Sequence, residues 1–303
     1  MVKLIPTMSK NKISILGLMT CYNRKQKTEN AIRQLSSLES GLVCVDFIVL
    51  DDGSRDGTRE ALEALDASIL VLEGDGNSYY TGGMRQAMAA ARERIQNSSH
   101  MQNAKDGETE NTCKYDYILL FNDDVDFDLQ AVARLVEKAS LNPGKIWVGP
   151  TSDERGELSY GGVQLTSKLR PKYRIVKGDS QEGTPCQTFN ANFVLVPTDI
   201  FMAMDSMDEV YQHSLGDFDY GLQATRRGYE ILVSDEFIGT CPDNSVAGTY
   251  NDRSLSFRER IRKKESPKGV PAREWWHYLY KNYGLATALV YSVTPYIRIL
   301  LGK

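Results

Sequence analysis

Short apolar runs that end in polar turns alternate along this chain with stripes of apolar residues at helical spacing. Ile13–Met19 and Val45–Leu50 are mostly apolar runs, too short for helices of their own, and read as strands. Ile32, Leu35 and Leu38 between them mark one face of a helix, and Ala61, Leu62 and Leu65 mark another that begins near Thr58. Ser68–Leu72 reads as a third strand. A glycine-rich loop, Glu73–Gly83, leads into a helix carrying Met84, Ala87, Met88, Ala91 and Ile95. Strand and helix alternating in this way predict a parallel sheet wound right-handed, with helices on its faces.

Asn97–Lys114 is polar and without periodicity, and reads as a surface insertion. The run Ile118–Phe121 after it is the central strand, and Leu129, Val132, Leu135 and Val136 form the next helical stripe. Ile146–Val148 is a short strand, and Leu158–Arg174 reads as a hairpin turning near Gly161-Gly162 and again near Pro171. Phe189–Val196 is a strand interrupted by Asn190 and Asn192. A helix is expected from about Phe218, and Glu230–Val233 is the last strand. Lys263–Pro271 is a basic linker. Beyond it lies a tail bearing Trp275, Trp276 and five tyrosines, from Tyr278 to Tyr296. The division expected is a wound α/β domain over 1–257 and a linker with an aromatic, basic helical tail over 258–303.

Composition narrows the partners. The net charge of -4 argues against a nucleic-acid binder. Cys21, Cys44, Cys113, Cys186 and Cys241 are odd in number and contain no CxxC pair, so neither a zinc ribbon nor a disulfide framework is indicated. With no signal peptide at the N-terminus the chain reads as cytoplasmic. The apolar run Leu285–Val293 is too short to span a bilayer. Helices of aromatic and basic residues can lie in the membrane interface, so the tail is read either as resting on the inner face of the cell membrane or as packing on the domain or on a second subunit.

The candidate chemistry sits at strand ends. Three of them deliver polar groups to one sheet edge: Thr20–Asn23, Asp51–Ser54 and Asn122–Asp124. Ligands of open α/β sheets bind beyond the carboxyl ends of the strands. Asn122-Asp123-Asp124 directly follows the central strand, where adjacent carboxylates repel unless a cation or a proton relieves them. Read plainly, the same residues are a turn and a cap ahead of Leu129. A dinucleotide site would need GxGxxG after the first strand. The turn there is Thr20-Cys21-Tyr22-Asn23-Arg24, which disfavours an oxidoreductase, and no GxxxxGK[ST] loop occurs either.

TCYNR after strand one, LDDGSRDGT after strand two, GGMR opening a helix, FNDDV after the central strand and GDFDYGLQATRRG downstream occur in that order. Together they resemble the family 2 glycosyltransferases, with the GT-A fold. The likeness covers about Ile13–Tyr250, and the tail is similar to those of bacterial members that build cell-surface polysaccharides. The resemblance implies an inverting transfer of sugar from a nucleotide-diphosphate sugar to the hydroxyl of a saccharide acceptor, often lipid-linked, with Mg2+ or Mn2+ as cofactor. It implies that Thr20 and Tyr22 line the base pocket, and that Asp52 accepts from the base. Arg85 would meet the diphosphate or sugar, Asp124 the metal, and Asp123 the ribose or a metal-bound water. Asp217 would be the catalytic base, His213 would meet the acceptor, and Asp219 would point elsewhere. The plain reading of Asp217 is a helix N-cap. The rival classes are a sugar-phosphate nucleotidyltransferase and a non-catalytic sugar-binding module on the same fold.

Overall fold

The computed structural model describes residues 12–38, 43–66, 68–103, 115–242 and 245–302. The first half is β1 (Ile13–Cys21), α1 (Lys25–Ser36), β2 (Val43–Asp51), α2 (Thr58–Leu65), β3 (Leu70–Glu73), α3 (Tyr79–Asn103) and β4 (Tyr117–Phe121). After it come β5 (Asp126–Phe127), α4 (Leu129–Leu141), β6 (Ile146–Val148), β7 (Thr151–Ser152), β8 (Leu158–Tyr160), β9 (Gly162–Leu165) and β10 (Tyr173–Val176). Then follow β11 (Thr184–Cys186), β12 (Thr188–Phe189), β13 (Phe193–Pro197), α5 (Thr198–Ala203), α6 (Gly216–Arg226), β14 (Ile231–Val233) and β15 (Gly239–Thr240). The tail is α7 (Phe257–Lys264), α8 (Ala272–Tyr283), α9 (Leu285–Tyr291) and α10 (Thr294–Leu300).

The main sheet has eight strands in the order β11-β14-β6-β13-β4-β1-β2-β3. β1 pairs in parallel with both β2 and β4, and β2 with β3, so the three polar strand ends share one edge. Alternation sorts the strand side chains onto two faces. Ile15 and Met19 of β1 join Val49, Leu119 and Phe121 in a core closed by α1 and α4. Leu16 and Leu18 join Ile48, Ile118 and Leu120 in a core closed by α3 and α6. Burial on both faces is why these strands read as unbroken apolar runs.

Several elements differ from the sequence expectation. α3 begins at Tyr79, so Gly82 and Gly83 lie inside a helix and not in the loop before it. The Asp52 carboxylate accepts from the backbone N–H groups of Ser78 and Tyr79 and fixes that start. A Cβ on Gly83 would stand 2.4 Å from Thr20 Oγ1 and 2.7 Å from Leu50 Cδ2, so glycine there lets α3 lie close on the sheet. β8 pairs with β7, while β9 pairs with β10 and β12, so the first turn of the expected hairpin joins strands of two different sheets. The strand expected over Phe189–Val196 is two strands in separate sheets, parted at the asparagines. Asp128 caps α4, accepting from Gln130 and Ala131, so the cap ahead of Leu129 is not in the Asn122–Asp124 turn. The insertion expected from Asn97 is helical to Asn103, and residues 104–114 lie outside the described residues.

The tail packs against the domain. Tyr278, Leu279 and Ala288 share a small core with Val163, Tyr211, Phe218 and Leu222. The expected linker from Lys263 starts inside α7, which opens with a Ser256/Glu259 capping box and buries Lys264 against Glu265 and the Tyr296 hydroxyl. Among the described residues no helix is long and apolar enough to cross a membrane.

Candidate active site

Hydrogen bonds lock the turn after β1 to the turn after β2. Asn23 N–H donates to Ser54 Oγ and Asn23 Oδ1 accepts from Arg55 N–H, both at 2.8 Å. Asp51 accepts from Ser54 N–H at 2.9 Å. Thr20 lies at the end of β1 against Gly83, and Tyr22 is half exposed beside it. Asp52 is buried, and its oxygens take Gly76 and Ser78 N–H on one side and Tyr79 N–H on the other, at 3.0–3.1 Å. Asp52 therefore holds the 74–79 loop and the start of α3 as one unit.

The NDD turn leaves β4 opposite β13. Asn122 donates to Asn192 Oδ1, Asn192 Nδ2 donates to Cys241 Sγ, and Cys241 Sγ lies 3.8 Å from Asp124 Oδ1. Asp123 is buried, accepting from Arg24 Nη1 at 2.6 Å and from Thr28 Oγ1 at 3.2 Å. Burial pushes its carboxyl above the ordinary range, and the Arg24 charge only partly offsets this. Asp124 reaches solvent and lies 3.2 Å from the same Arg24 nitrogen. Among the described residues no group of three or more His, Cys, Asp and Glu side chains could hold a metal by itself. The hard carboxylate oxygens of Asp124 nevertheless suit a divalent cation that takes its other ligands from a phosphate and water.

α6 carries the second carboxylate to the same region. Leu215 has φ +68 and precedes the helix, so Asp217 is inside the first turn and not the N-cap. A Cβ on Gly216 would stand 2.3 Å from Thr81 Cγ2, which shows how closely α6 meets the start of α3. Asp217 accepts from Phe218 N–H at 2.8 Å and Ala191 N–H at 3.3 Å, and burial pushes its carboxyl up to about 6. Asp219 turns away as expected. It is buried and bonded to Lys281 at 2.6 Å and Asn282 at 2.9 Å of α8.

His213 lies between. Its Nδ1 accepts from Tyr80 N–H at 3.4 Å, and burial lowers it to about 4, so the ring is neutral at pH 7 with its proton on Nε2. The Arg85 guanidinium donates to the carbonyls of Asp208 at 3.2 Å and Tyr211 at 2.6 Å, and so fastens the segment leading to His213 and Asp217 onto α3. Arg24, Tyr80, Asn190 and Cys241 are absent from the sequence-based set. The Tyr80 hydroxyl is buried without a partner, and the charges of Asp217 and Asp124 both act on it. Asn190 Oδ1 is likewise buried and unpartnered. Buried polar atoms are nearly always bonded, so such orphans beside two carboxylates mark a place for a ligand. Among the described residues, the three non-glycine residues with positive φ, Asn23, Tyr79 and Leu215, all lie here, consistent with backbone strain held at a functional site.

The capped loop and the two carboxylates lie beyond the carboxyl ends of the strands, where open α/β sheets bind their ligands. Residues 18–95, from the end of β1 through most of α3, match the family model of Glycosyl transferase family 2. The fold matches the mannosyltransferase PcManGT from Pyrobaculum calidifontis, solved in complex with GDP-Man and Mn2+. The TM-score is 0.51 at 10% identity, over 96% of this chain and 74% of that one. No curated protein matches the chain. Over residues 18–95 the chain is thus similar to the family 2 glycosyltransferases, and its fold is that of a GT-A glycosyltransferase.

Proposed function

We propose that this protein transfers a sugar, with inversion, from a nucleotide-diphosphate sugar to an acceptor hydroxyl. The observation that carries the reading is Asp217, a half-buried carboxyl raised to about 6 by desolvation, on the same side of the Tyr80 region as the partly exposed Asp124. The orphaned Tyr80 hydroxyl feels the charge of both. The neighbour solved with GDP-Man and Mn2+ supports a nucleotide-sugar donor and a divalent cation.

In this reading Thr20 and Tyr22 flank the base, and Asp52 orders the loop that closes over the nucleotide. Asp52 also remains the candidate acceptor for the base. Asp124 would hold Mg2+ or Mn2+ through a carboxylate oxygen, with Asp123 behind it. A bound cation there supplies Lewis-acid neutralisation of the diphosphate leaving group. Asp217 takes the proton from the acceptor hydroxyl as its oxygen attacks the face of the anomeric carbon opposite the diphosphate, which inverts that centre. The C–O bond to the acceptor forms as the C–O bond to the diphosphate breaks. His213, neutral with a free Nε2–H, and the Tyr80 hydroxyl are donors for acceptor or sugar hydroxyls. Arg85 keeps the Asp208–Asp217 segment in register, and is also the candidate for a diphosphate or sugar contact.

The acceptor in this reading is a lipid-linked saccharide of a cell-surface polysaccharide, worked on at a membrane surface. Leu289, Val290, Val293, Ile297 and Leu300 are all at least 49% exposed on α9, α10 and the turn between them. No acidic residue occurs after Glu274, while Arg298 and Lys303 do; Lys281 is engaged by Asp208 and Asp219. That pattern of apolar face and positive charge supports an anionic membrane interface as the surface it meets.

Asp217→Asn tests the reading with a panel of radiolabelled nucleotide-sugars. The wild type should label polymer or lipid. The variant should lose on the order of 100-fold or more in rate at nearly unchanged donor affinity. Pyrophosphate-dependent exchange in place of transfer would support a nucleotidyltransferase and sink the proposal.

A further inference from the structure

Arg24 closes the turn after β1, just before α1. Its Nη1 lies between two adjacent carboxylates, 2.6 Å from Asp123 Oδ1 and 3.2 Å from Asp124 Oδ2. The two contacts are unequal. The Asp123 side chain is 3% exposed and is also held by Thr28, so that contact is short and shielded. The Asp124 side chain is 23% exposed and Arg24 itself 44%, so the second contact is longer and open to solvent. The other Asp124 oxygen has only a weak thiol donor, Cys241, at 3.8 Å. A charged pair with one shielded and one open end can release the open end cheaply, because exposed ion pairs are worth little.

We propose that Arg24 is the resident counter-ion of Asp124, a guanidinium that a divalent cation must displace and that then turns to the diphosphate of the donor. The inference rests on the reading of Asp124 as the metal-holding carboxylate. A guanidinium and a divalent cation on Asp124 together would set three positive charges against two carboxylates, so in the nucleotide-free protein Arg24, which already offsets one of the two negative charges, weakens the hold on metal. A diphosphate changes the balance. It offers Arg24 a bidentate partner of the kind guanidinium favours, and it offers the cation further oxygen ligands. Metal and nucleoside diphosphate then strengthen each other's binding, and by linkage each does so by the same factor. The competing account is that Arg24 only ties the turn after β1 to the end of β4, in which case metal affinity ignores its charge.

The experiment is a titration of the full chain with Mn2+ alone, following the free-ion electron paramagnetic resonance signal. The wild type should bind weakly. Arg24→Gln should bind at least about fivefold tighter, the low end of couplings between sites, and Arg24→Lys should stay near the wild type because it keeps the charge. Arg24→Met, which keeps the aliphatic stem, takes the place of the Gln variant if circular dichroism shows that variant unfolded. Unchanged affinity on loss of the charge overturns the proposal, as does equal tightening in the Lys variant. Asp124→Asn in the Arg24→Gln background separates the premise from the inference. Binding should weaken again, and tight binding that persists would bring down the Asp124 reading and the proposal with it.

Discussion

Asp217 shows how a single side chain can work against the stability of the fold that holds it. Its carboxyl is raised from 3.8 to about 6 by burial. The folded state thus holds the proton to higher pH than the unfolded chain does. Stability from this group is complete below pH 3.8, falls as pH rises, and is lost above about 6, where the native state carries a cost on the order of 2–3 kcal/mol. Asp217→Asn removes that cost, so urea denaturation at pH 8 should show a more stable variant, with the difference vanishing at pH 4. Activity should run the other way. A base must be unprotonated, so kcat/KM for the wild type should rise through a midpoint near 6 and then level. A flat profile down to pH 4.5 would show that no carboxyl of this kind takes the proton.

Helices α3 and α6 meet end to end over the site, and small residues set how closely. Thr81 and Gly82 N–H both donate to the Gln212 carbonyl, at 3.0 and 3.2 Å, and Thr81 packs where a Gly216 side chain would be. Gly216→Ala must therefore push α6 away from α3. Overpacking of this kind costs about 1–3 kcal/mol, visible as a lowered melting temperature. Because Asp217 rides on the displaced turn, kcat should fall further than stability alone explains. A variant with a lowered melting temperature but wild-type kcat would mean that the junction is scaffolding only. The same first turn of α6 is tied to α8 through Asp219, Lys281 and Asn282, with Asp208 joining Lys281 and His277. A helix carrying the candidate base is thus braced by the tail.

The tail joins α6, which carries Asp217, to the exposed apolar side chains of α9 and α10. α8 cannot be removed without uncovering Val163, Tyr211 and Phe218 and leaving Asp219 unpaired, so truncation is a poor test of membrane contact. Substituting the exposed side chains Leu289, Val293 and Ile297 with Ser leaves that brace intact. The triple variant should stay folded and should no longer sediment with vesicles containing anionic lipid, while the wild type does, more weakly as salt is raised. Equal sedimentation of both proteins would reassign the face to contacts between subunits or to none.

The apolar runs and helical stripes made the wound sheet legible, since burial on both faces leaves so plain a mark on a strand. The strand-end polar groups at Thr20, Asp52 and Asp124 were legible for the same reason: each interrupts an apolar run where the chain must turn. Arg24, Tyr80, Asn190 and Cys241 carried no such mark. Arg24 meets Asp123 across 99 positions and Cys241 meets Asp124 across 117, and no local periodicity encodes a contact of that separation. The tail was equally ambiguous, because an aromatic and basic helix looks the same whether it faces lipid or protein. Folding resolved this helix by helix: the turn bearing Tyr278 and Lys281 went to the core and to Asp219, and the later helices kept an apolar face outward. Short-range spacing fixes which residues share an element, while the distance between elements, and so the chemistry of the groups that meet there, is set by packing.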